Sequence, residues 1–319
     1  MKRYGITFPL ETVPLAEQKQ WVGELEDLGY TDLWGSEAQD LDGFVPLALA
    51  SQWTQNMRLG CAVLPAQTRG PAVLAQSAAA MALAAPGRFV LGLGCSSPYI
   101  VEMQNARPFE NVNATMRDVV RFTRAALAGE DPNGDYETFK IAGFHLRRAL
   151  DHPPPILLAA LRPAMLEIAA RDGDGAILQY LVPEDYSLVL PLIKKHGADK
   201  EVAQRLIVCP SENADAVRKI ARWSMSIYMS VPNYRKHQQW LGNSHMFEEM
   251  WACFDRGDLK AARRAIPDDV VDRYYIHGSS GAIKDRIAQY VDAGLETPIL
   301  ALVENVVDPI EGSRLLAPN

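Results

Sequence analysis

Residues 88–94 read RFVLGLG, and this short segment decides the fold class. It is apolar at nearly every position, as is typical of a parallel strand that helices cover on both faces. Pro86-Gly87 precedes it, and before that an Ala-rich stretch of helical length begins at Pro71, a residue suited to the first position of a helix. A helix, a turn and a doubly buried strand form one repeat of an alternating α/β fold.

The same repeat continues in both directions along the chain. We predict strands at Arg3–Phe8, Thr31–Gly35, Met57–Leu64, Arg88–Gly94, Pro155–Leu161, Gly175–Tyr180, Leu206–Cys209 and Thr297–Val303. Helical patterns separate nearly every pair, and eight such units in 319 residues favour a closed barrel over an open sheet. The sequence therefore predicts an α/β protein, a single (β/α)8 TIM barrel domain over residues 1–319.

Two stretches interrupt the repeat, and we interpret both as insertions. The first, Asp131–Pro155, follows the fourth helix and is rich in proline, glycine and aromatic residues. Its pattern predicts a hairpin with strands at Tyr136–Ile141 and Phe144–Leu146. The second runs from about Trp223 to Gly281, between strands seven and eight, and contains several short helical patterns.

The composition argues against several classes of function. The net charge is −7 and no cluster of Lys and Arg is present, so we expect no nucleic-acid partner. The four cysteines lack C-x-x-C spacing and the six histidines form no H-E-x-x-H motif, so we expect no metal site. No apolar run has the length of a secretory signal or a membrane span, which predicts a cytoplasmic protein with no membrane partner.

Candidate site residues lie directly after the strands, because ligands of parallel barrels bind at the carboxyl ends. Ser96 and Ser97 precede Pro98 at a predicted helix start, where free backbone N–H groups and hydroxyls suit an anion. Arg162 precedes Pro163 at another helix start and offers a planar guanidinium to a phosphate. Taken alone, each feature is more often an ordinary cap or a solvated side chain.

Two longer blocks resemble the luciferase-like flavin oxidoreductases. They are residues 68–97 (TRGPAVLAQSAAAMALAAPGRFVLGLGCSS) and residues 153–178 (PPPILLAALRPAMLEIAARDGDGAIL), and residues 276–294 follow the same family pattern. Within that superfamily the chain is most similar to the branch that uses the 5-deazaflavin coenzyme F420. The resemblance covers nearly the whole chain, and it is less specific for the choice between F420 and FMN.

The resemblance implies a cofactor ring in the barrel mouth, backed by a bulge on strand three that often contains a non-prolyl cis peptide. That bulge maps to Ala62-Val63. It also implies that the loops after strands four and five line the cofactor, and that residues after strand six contact the substrate. The implied cofactor contacts are Ser96, Ser97, Tyr99, Ala159, Ala160, Leu161 and Arg162, and the implied substrate contacts are Gln179 and Tyr180.

Glu37 is the predicted catalytic acid or base, because few other titratable groups follow the strands. The alternative is a structural role in which its carboxylate accepts backbone N–H groups. Many relatives carry Asp-His where this chain has Glu37-Ala38, so the role of that histidine is unassigned. Asp42 is interpreted as a helix cap. Residues 179–186 contain no basic residue, which argues against a phosphorylated sugar as substrate.

Three functions stay open on these observations. The first is hydride transfer between F420 and an organic substrate, either a small molecule or a modified peptide. The second is an FMN-dependent monooxygenase, and the third is a non-catalytic barrel that binds a flavin or a partner subunit. A homodimer is compatible with each of them. Cofactor identity separates the first two, because a deazaflavin supports hydride transfer and does not activate oxygen.

Overall fold

The computed structural model describes residues 3–37 and 41–318, so Ala38 lies outside the described residues. The strands are β1 (Gly5–Thr7), β2 (Asp32–Gly35), β3 (Arg58–Cys61), β4 (Leu64–Pro65), β5 (Phe89–Gly94), β6 (Gly134–Asp135), β7 (Lys140–Ile141), β8 (Ile156–Ala159), β9 (Gly175–Gln179), β10 (Glu201–Cys209), β11 (Tyr275–His277) and β12 (Thr297–Leu302).

The α-helices follow the strands in alternation, with a group of extra helices before the last strand. They are α1 (Lys19–Asp27), α2 (Val45–Trp53), α3 (Pro71–Ala84), α4 (Val112–Ala128), α5 (Pro163–Asp172), α6 (Tyr186–Ile193), α7 (Ala214–Tyr228), α8 (Pro232–Trp240), α9 (Glu248–Asp255), α10 (Leu259–Arg264), α11 (Asp268–Tyr274), α12 (Ser280–Asp292) and α13 (Pro309–Leu315). Among the described residues, none of these helices combines the length and the apolar character needed to cross a bilayer.

Eight parallel strands close into a ring within the described part of the chain. Their order is β1, β2, β3, β5, β8, β9, β10 and β12, and β12 pairs with β1 through Ile299 and Gly5. Helices cover the outside of this ring, as they must where a parallel sheet is apolar on both faces. The predicted (β/α)8 barrel is confirmed.

Local sequence signals place the elements around the ring. All residues of β5 are buried, as its uniformly apolar pattern predicts. Helices α3 and α5 begin at Pro71 and Pro163, where a missing N–H costs no intrahelical hydrogen bond. Helix α4 ends at Gly129, whose φ of 77° lies in the left-handed region that glycine adopts freely.

Trp34 fills the middle of the barrel. Its side chain packs inside the ring with Val90, Leu157 and Ile177, and the residue is 1% exposed. The indole fits because its neighbours on β1 and β3 are glycines: a Cβ on Gly60 would lie 2.4 Å from the ring, and one on Gly5 would lie 2.8 Å from it. The interior is therefore a packed core.

A polar network closes the amino-terminal end of the barrel below Trp34. Arg58 pairs with the buried carboxylate of Asp32 and donates two hydrogen bonds to Glu201, at 2.6 and 2.8 Å. Thr297 donates to the same Glu201 carboxylate. Although burial lowers the pKa of the Arg58 guanidinium, pairing with Glu201 and Asp32 raises it above its usual value. Arg58 on β3 therefore links β2 to β10 and β12, which are distant from it in sequence.

We expect Arg58→Met to lower the free energy of unfolding by about 3–5 kcal/mol, because it removes the nearer counter-charge of the buried Asp32 carboxylate and leaves only the half-exposed Arg3, 3.5 Å away. Urea unfolding followed by circular dichroism measures the change. Arg314→Met is the control, since Arg314 forms its ion pairs with Glu24 and Glu311 on the surface. Equal effects of the two substitutions would show that the network contributes nothing to barrel stability.

The first insertion corrects the predicted hairpin. Its two short strands are β6 and β7, and Phe144–Leu146 forms no strand. Tyr136, Phe139 and Phe144 instead pack around Phe122 of α4, with ring centroids 5.5–6.1 Å away. The aromatic residues of this insertion therefore serve to pack it on a helix.

The second insertion also departs from the prediction. It contains helices α8 to α11 and a further parallel strand outside the ring, β11, which pairs with the carboxyl end of β10. Strand β10 begins at Glu201, five residues before the predicted start at Leu206. Its first half contains Gln204 and Arg205, so hydrophobicity alone detects only the second half.

Candidate functional site

The barrel mouth is formed by the inward-facing residues one layer above the Trp34 core. Successive side chains of a strand alternate between its two faces, so a residue faces the same side as the residue two positions before it. Leu157, Ile177 and Ala203 pack with Val63 in the barrel core, so the residue two positions after each of them also faces the barrel interior. Among the described residues, the barrel mouth is thus defined by Thr7, Val63, Gly94, Ala159, Gln179 and Arg205.

The barrel mouth has an apolar half and a polar half. Val63, Gly94 and Ala159 come from the third, fourth and fifth strands around the ring and form the apolar half. Gln179, Arg205 and Thr7 come from the sixth, seventh and first strands and form the polar half. A ligand bound here meets a smooth surface on one side and hydrogen-bonding groups on the other.

A bulge in the third barrel strand shapes the apolar half. The chain advances four residues from Gly60 to Leu64 while β5 advances three from Val90 to Leu93, so one extra residue is accommodated. The peptide between Ala62 and Val63 at this point is cis, as the family resemblance implies. The expected backbone bulge is confirmed.

Hydrogen bonds fix the bulge to the second barrel strand. The Ala62 N–H donates to the Gly35 carbonyl at 2.6 Å, and the Glu37 N–H donates to the Val63 carbonyl at 3.1 Å. Gly94 packs directly against the bulge, because a Cβ there would lie 2.4 Å from Val63 Cγ2 and 3.4 Å from the Ala159 Cβ. The apolar half is therefore a close-packed floor of small residues.

The loop after β5 turns sharply at the edge of this floor. Ser96 has a φ of 62°, a left-handed conformation that non-glycine residues seldom adopt. Ser97 lies at the start of a π-helical segment, where its carbonyl accepts the Val101 N–H at 3.0 Å. Tyr99, in the same segment, is 59% exposed. Unusual backbone of this kind is frequent at functional sites.

Arg162 links the loop after β8 to the second insertion. It is partly buried at the start of α5 and donates a long hydrogen bond of 3.5 Å to Asn233 of the second insertion. Burial raises the pKa of the Cys95 thiol to about 12, and the nearby Arg162 charge acts in the opposite direction. The guanidinium is therefore within electrostatic range of Cys95, which precedes Ser96 in the loop after β5.

The remaining predicted contacts divide between the two faces of their strands. Ala159 and Gln179 face the barrel mouth, and Leu161 is partly buried beside the second insertion. Ala160 is 1% exposed within the outer core, and Tyr180 is 4% exposed within the core of the second insertion. The side chains of Ala160 and Tyr180 thus pack away from the mouth, and their roles as ligand contacts stay predictions.

Glu37 forms a tight ion pair beside the bulge. Both of its carboxylate oxygens accept hydrogen bonds from Arg69 at 2.6 Å, and one also accepts the Gly43 N–H at 3.0 Å. Asp42 contacts the same guanidinium and accepts the N–H groups of Phe44 and Val45. The N-cap residue of α2 is Phe44, so Asp42 lies two residues before the capping position that the sequence predicted for it. These contacts suit the structural alternative for Glu37, and its catalytic role stays a prediction.

Helix α8 of the second insertion supports the polar half from outside the ring. Tyr234 donates a hydrogen bond of 3.1 Å to the Gln179 side chain, and Gln238 donates to the Tyr180 carbonyl at 3.2 Å. His237 lies beside the backbones of Leu161 and Gln179 and is 1% exposed. One short helix therefore positions the segments after both β8 and β9.

Sequence reasoning missed Thr7, Arg205 and Tyr234. Tyr234 lies in an insertion, where no strand register indicates which residues return to the mouth. Arg205 could have been found from the inward alternation Glu201, Ala203, Arg205, but only with the correct start of β10. Thr7 could have been found by the same alternation from Gly5.

The chain is similar in sequence to enzymes over most of their length. The chain is 25% identical over 310 residues to a 5,10-methylenetetrahydromethanopterin reductase of Methanolobus tindarius, covering 93% of this chain and 94% of that protein. It is 27% identical over 270 residues to an F420-dependent glucose-6-phosphate dehydrogenase of Mycobacterium avium, covering 79% and 76% of the two chains.

Solved structures share the fold at lower identity. The coenzyme F420-dependent tetrahydromethanopterin reductase of Methanopyrus kandleri superposes with a TM-score of 0.82 at 18% identity, covering 99% of this chain and 97% of that one. The oxygenating constituent of 3,6-diketocamphane monooxygenase of Pseudomonas putida, in complex with FMN, gives 0.66 at 14% identity, covering 100% and 97%.

A closed parallel barrel with its ligand end at a bulged mouth is an enzyme scaffold. The sequence profile of the luciferase-like monooxygenases matches residues 4–297, which is most of the chain. The chain belongs to the luciferase-like monooxygenase family and is an enzyme of that family, as its two sequence blocks imply.

His237 predicts a pH-dependent stability. Burial, together with the Arg162 charge, lowers its pKa from 6.5 to about 4, and neither ring nitrogen has a well-oriented hydrogen-bond partner among the described residues. The unfolded chain therefore binds a proton more readily than the folded one between these values. Stability contributed by neutral His237 is fully present above pH 6.5 and is lost as the pH falls through about 4.

Between pH 6.5 and about 4, we expect the free energy of unfolding to fall in both the native chain and the His237→Gln variant. The fall should be larger in the native chain by up to about 3 kcal/mol, because glutamine does not titrate. Urea unfolding of both proteins at several pH values measures the difference, in which the titration of carboxylates common to both cancels. Parallel pH profiles would show that His237 is not buried in its neutral form.

Proposed function

We propose that this enzyme moves a hydride between coenzyme F420 and an organic substrate at the barrel mouth. The observation that carries the proposal is the floor of small residues formed by Val63, Gly94 and Ala159 at the bulge. When bound, a deazaflavin supplies a carbon that accepts or donates a hydride. Sequence relatives named for F420 chemistry support the choice of this cofactor.

The residues present fit a flat, partly anionic cofactor. The close-packed floor presents no long side chain that would prevent a planar ring from approaching. Ser96, Ser97 and Arg162 lie at one edge of the floor, where hydroxyls, backbone N–H groups and a guanidinium can bind the anionic side chain of the cofactor. Ala62, Val63, Tyr99, Ala159, Ala160 and Leu161 are the other proposed cofactor contacts.

The polar half of the barrel mouth would then orient the substrate. Gln179 lies one strand beyond Ala159, and Tyr234 holds its side-chain oxygen at 3.1 Å, which leaves the Gln179 amide N–H groups to donate elsewhere. Tyr180 contributes its backbone and buries its ring. The buried cluster of the second insertion packs beside this half of the mouth.

Proton handling is proposed for Glu37, whose carboxylate lies beside the bulge. Its pairing with Arg69, whose guanidinium Asp42 also contacts, fixes its position, and its side chain is 16% exposed. An acid or base at this point must exchange its partners before it takes or gives a proton. The ion pair is therefore the feature that an experiment must separate from catalysis.

Titration of the purified chain with oxidised F420 and with FMN, followed by absorbance and fluorescence, tests the cofactor. We expect F420 to bind and Arg162→Ala to weaken its affinity by about 10- to 100-fold, equivalent to 1.5–3 kcal/mol for a charge-assisted hydrogen bond. The control is Arg121→Ala, since Arg121 pairs with Asp172 on the outer helices. Preferential binding of FMN would instead favour the flavin monooxygenase.

We expect Glu37→Gln to lower turnover by about 10²–10⁴ while F420 affinity stays near that of the native chain, if this carboxylate transfers the proton. Steady-state kinetics and the cofactor titration give the two measurements. Asp42→Asn is the matched control, because it removes the other carboxylate on Arg69 and leaves Glu37 in place. Turnover within a few-fold of the native value, together with a lower melting temperature, would assign Glu37 a structural role.

A further inference from the structure

Arg205 is a cation in the barrel mouth without a counter-charge. It lies two residues beyond Ala203 of the barrel core, so its side chain enters the polar half. Its Nε is shielded from solvent and has no hydrogen-bond partner, and no carboxylate among the described residues lies within salt-bridge distance of it. The hydroxyl of Thr7, also in the polar half, is likewise buried and has no hydrogen-bond partner among the described residues.

Folding alone gives no reason for this arrangement. A partly buried guanidinium loses hydration free energy, and only a counter-charge or well-placed hydrogen-bond acceptors offset that loss. Arg58, in the same barrel but at its closed end, has two carboxylates to do so. Groups that cost stability without compensation inside the protein are characteristic of binding sites.

We propose that Arg205 binds a carboxylate of the substrate, so that the enzyme acts on organic acids. This inference rests on the proposed function, since it assigns the apolar half to the cofactor and the polar half to the substrate. A guanidinium matches a carboxylate through two parallel hydrogen bonds. Its neighbours Thr7, Gln179 and Tyr234 are neutral, so the polar half carries one positive charge and suits a monoanion better than a phosphate dianion.

An aromatic group beside the polar half indicates that the rest of the substrate is apolar. Tyr234 reaches the polar half through its hydrogen bond to Gln179, and its ring contacts Tyr228 and the buried ring of Tyr180, with ring centroids 5.6–6.1 Å apart. Tyr228 is 43% exposed, so the edge of this aromatic group remains open to a ligand. A flat apolar body carrying a carboxylate therefore fits the polar half and the aromatic group together.

Calorimetric titration of the F420-saturated protein with benzoate, benzamide and phenyl phosphate tests the assignment. We expect benzoate to bind about 10- to 100-fold more tightly than benzamide, because only the acid forms charge-assisted hydrogen bonds. Arg205→Gln should abolish this preference, Arg205→Lys should retain part of it, and Arg121→Gln should leave it unchanged. Equal affinities in the native chain, a preference that survives Arg205→Gln, or tighter binding of phenyl phosphate than of benzoate would each overturn the proposal.

Two further measurements separate this proposal from its alternatives. The melting temperature of Arg205→Met should equal or exceed that of the native chain, whereas a fall of several degrees would make Arg205 a folding residue. The same titrations on the cofactor-free protein should show the same preference, because the polar half is already formed. A native chain that fails to bind F420 contradicts the proposed function alone, and one that binds F420 without preferring benzoate contradicts this inference alone.

Discussion

The packing of Trp34 inside the ring is the constraint on which the rest of the structure depends. Gly5 and Gly60 leave room for one large indole, and the ion network of Arg58 closes the end beneath it. A ligand cannot enter from below or pass through the centre. Binding is therefore restricted to the carboxyl ends of the strands, where the bulge at Ala62-Val63 and the inward residues of β8 to β10 meet.

Much of the fold could be predicted from the sequence because the outer and inner faces of the strands are both apolar. Such strands, separated by helices that begin at proline and end at glycine, are visible without any tertiary information. The error at β10 has a physical origin. Its inward residues Glu201 and Arg205 lie at the polar ends of the barrel, so the residues before Leu206 are too polar for the sequence pattern to predict a strand there.

The candidate site could be predicted only in part. Once the strands are predicted, the residues at and after their carboxyl ends are known, and Ser96, Arg162 and Gln179 could be predicted in this way. The direction of each side chain was not, and Ala160 and Tyr180 face the outer packing instead of the mouth. The Arg69 partner of Glu37 comes from a different loop, 32 residues further along the chain, and pairing across loops follows only from the folded barrel.

Apart from Thr7, the two halves of the barrel mouth come from different parts of the chain. The floor at Val63, Gly94 and Ala159 is contributed by residues before 160, whereas Gln179, Arg205 and the supporting helix α8 all come after it. Substitutions in the later segment can reshape one side of the cleft without disturbing the other. A lineage with this layout can diversify the molecules it accepts while its redox machinery is inherited unchanged, and exchange of residues 223–281 between relatives is the corresponding route for engineering.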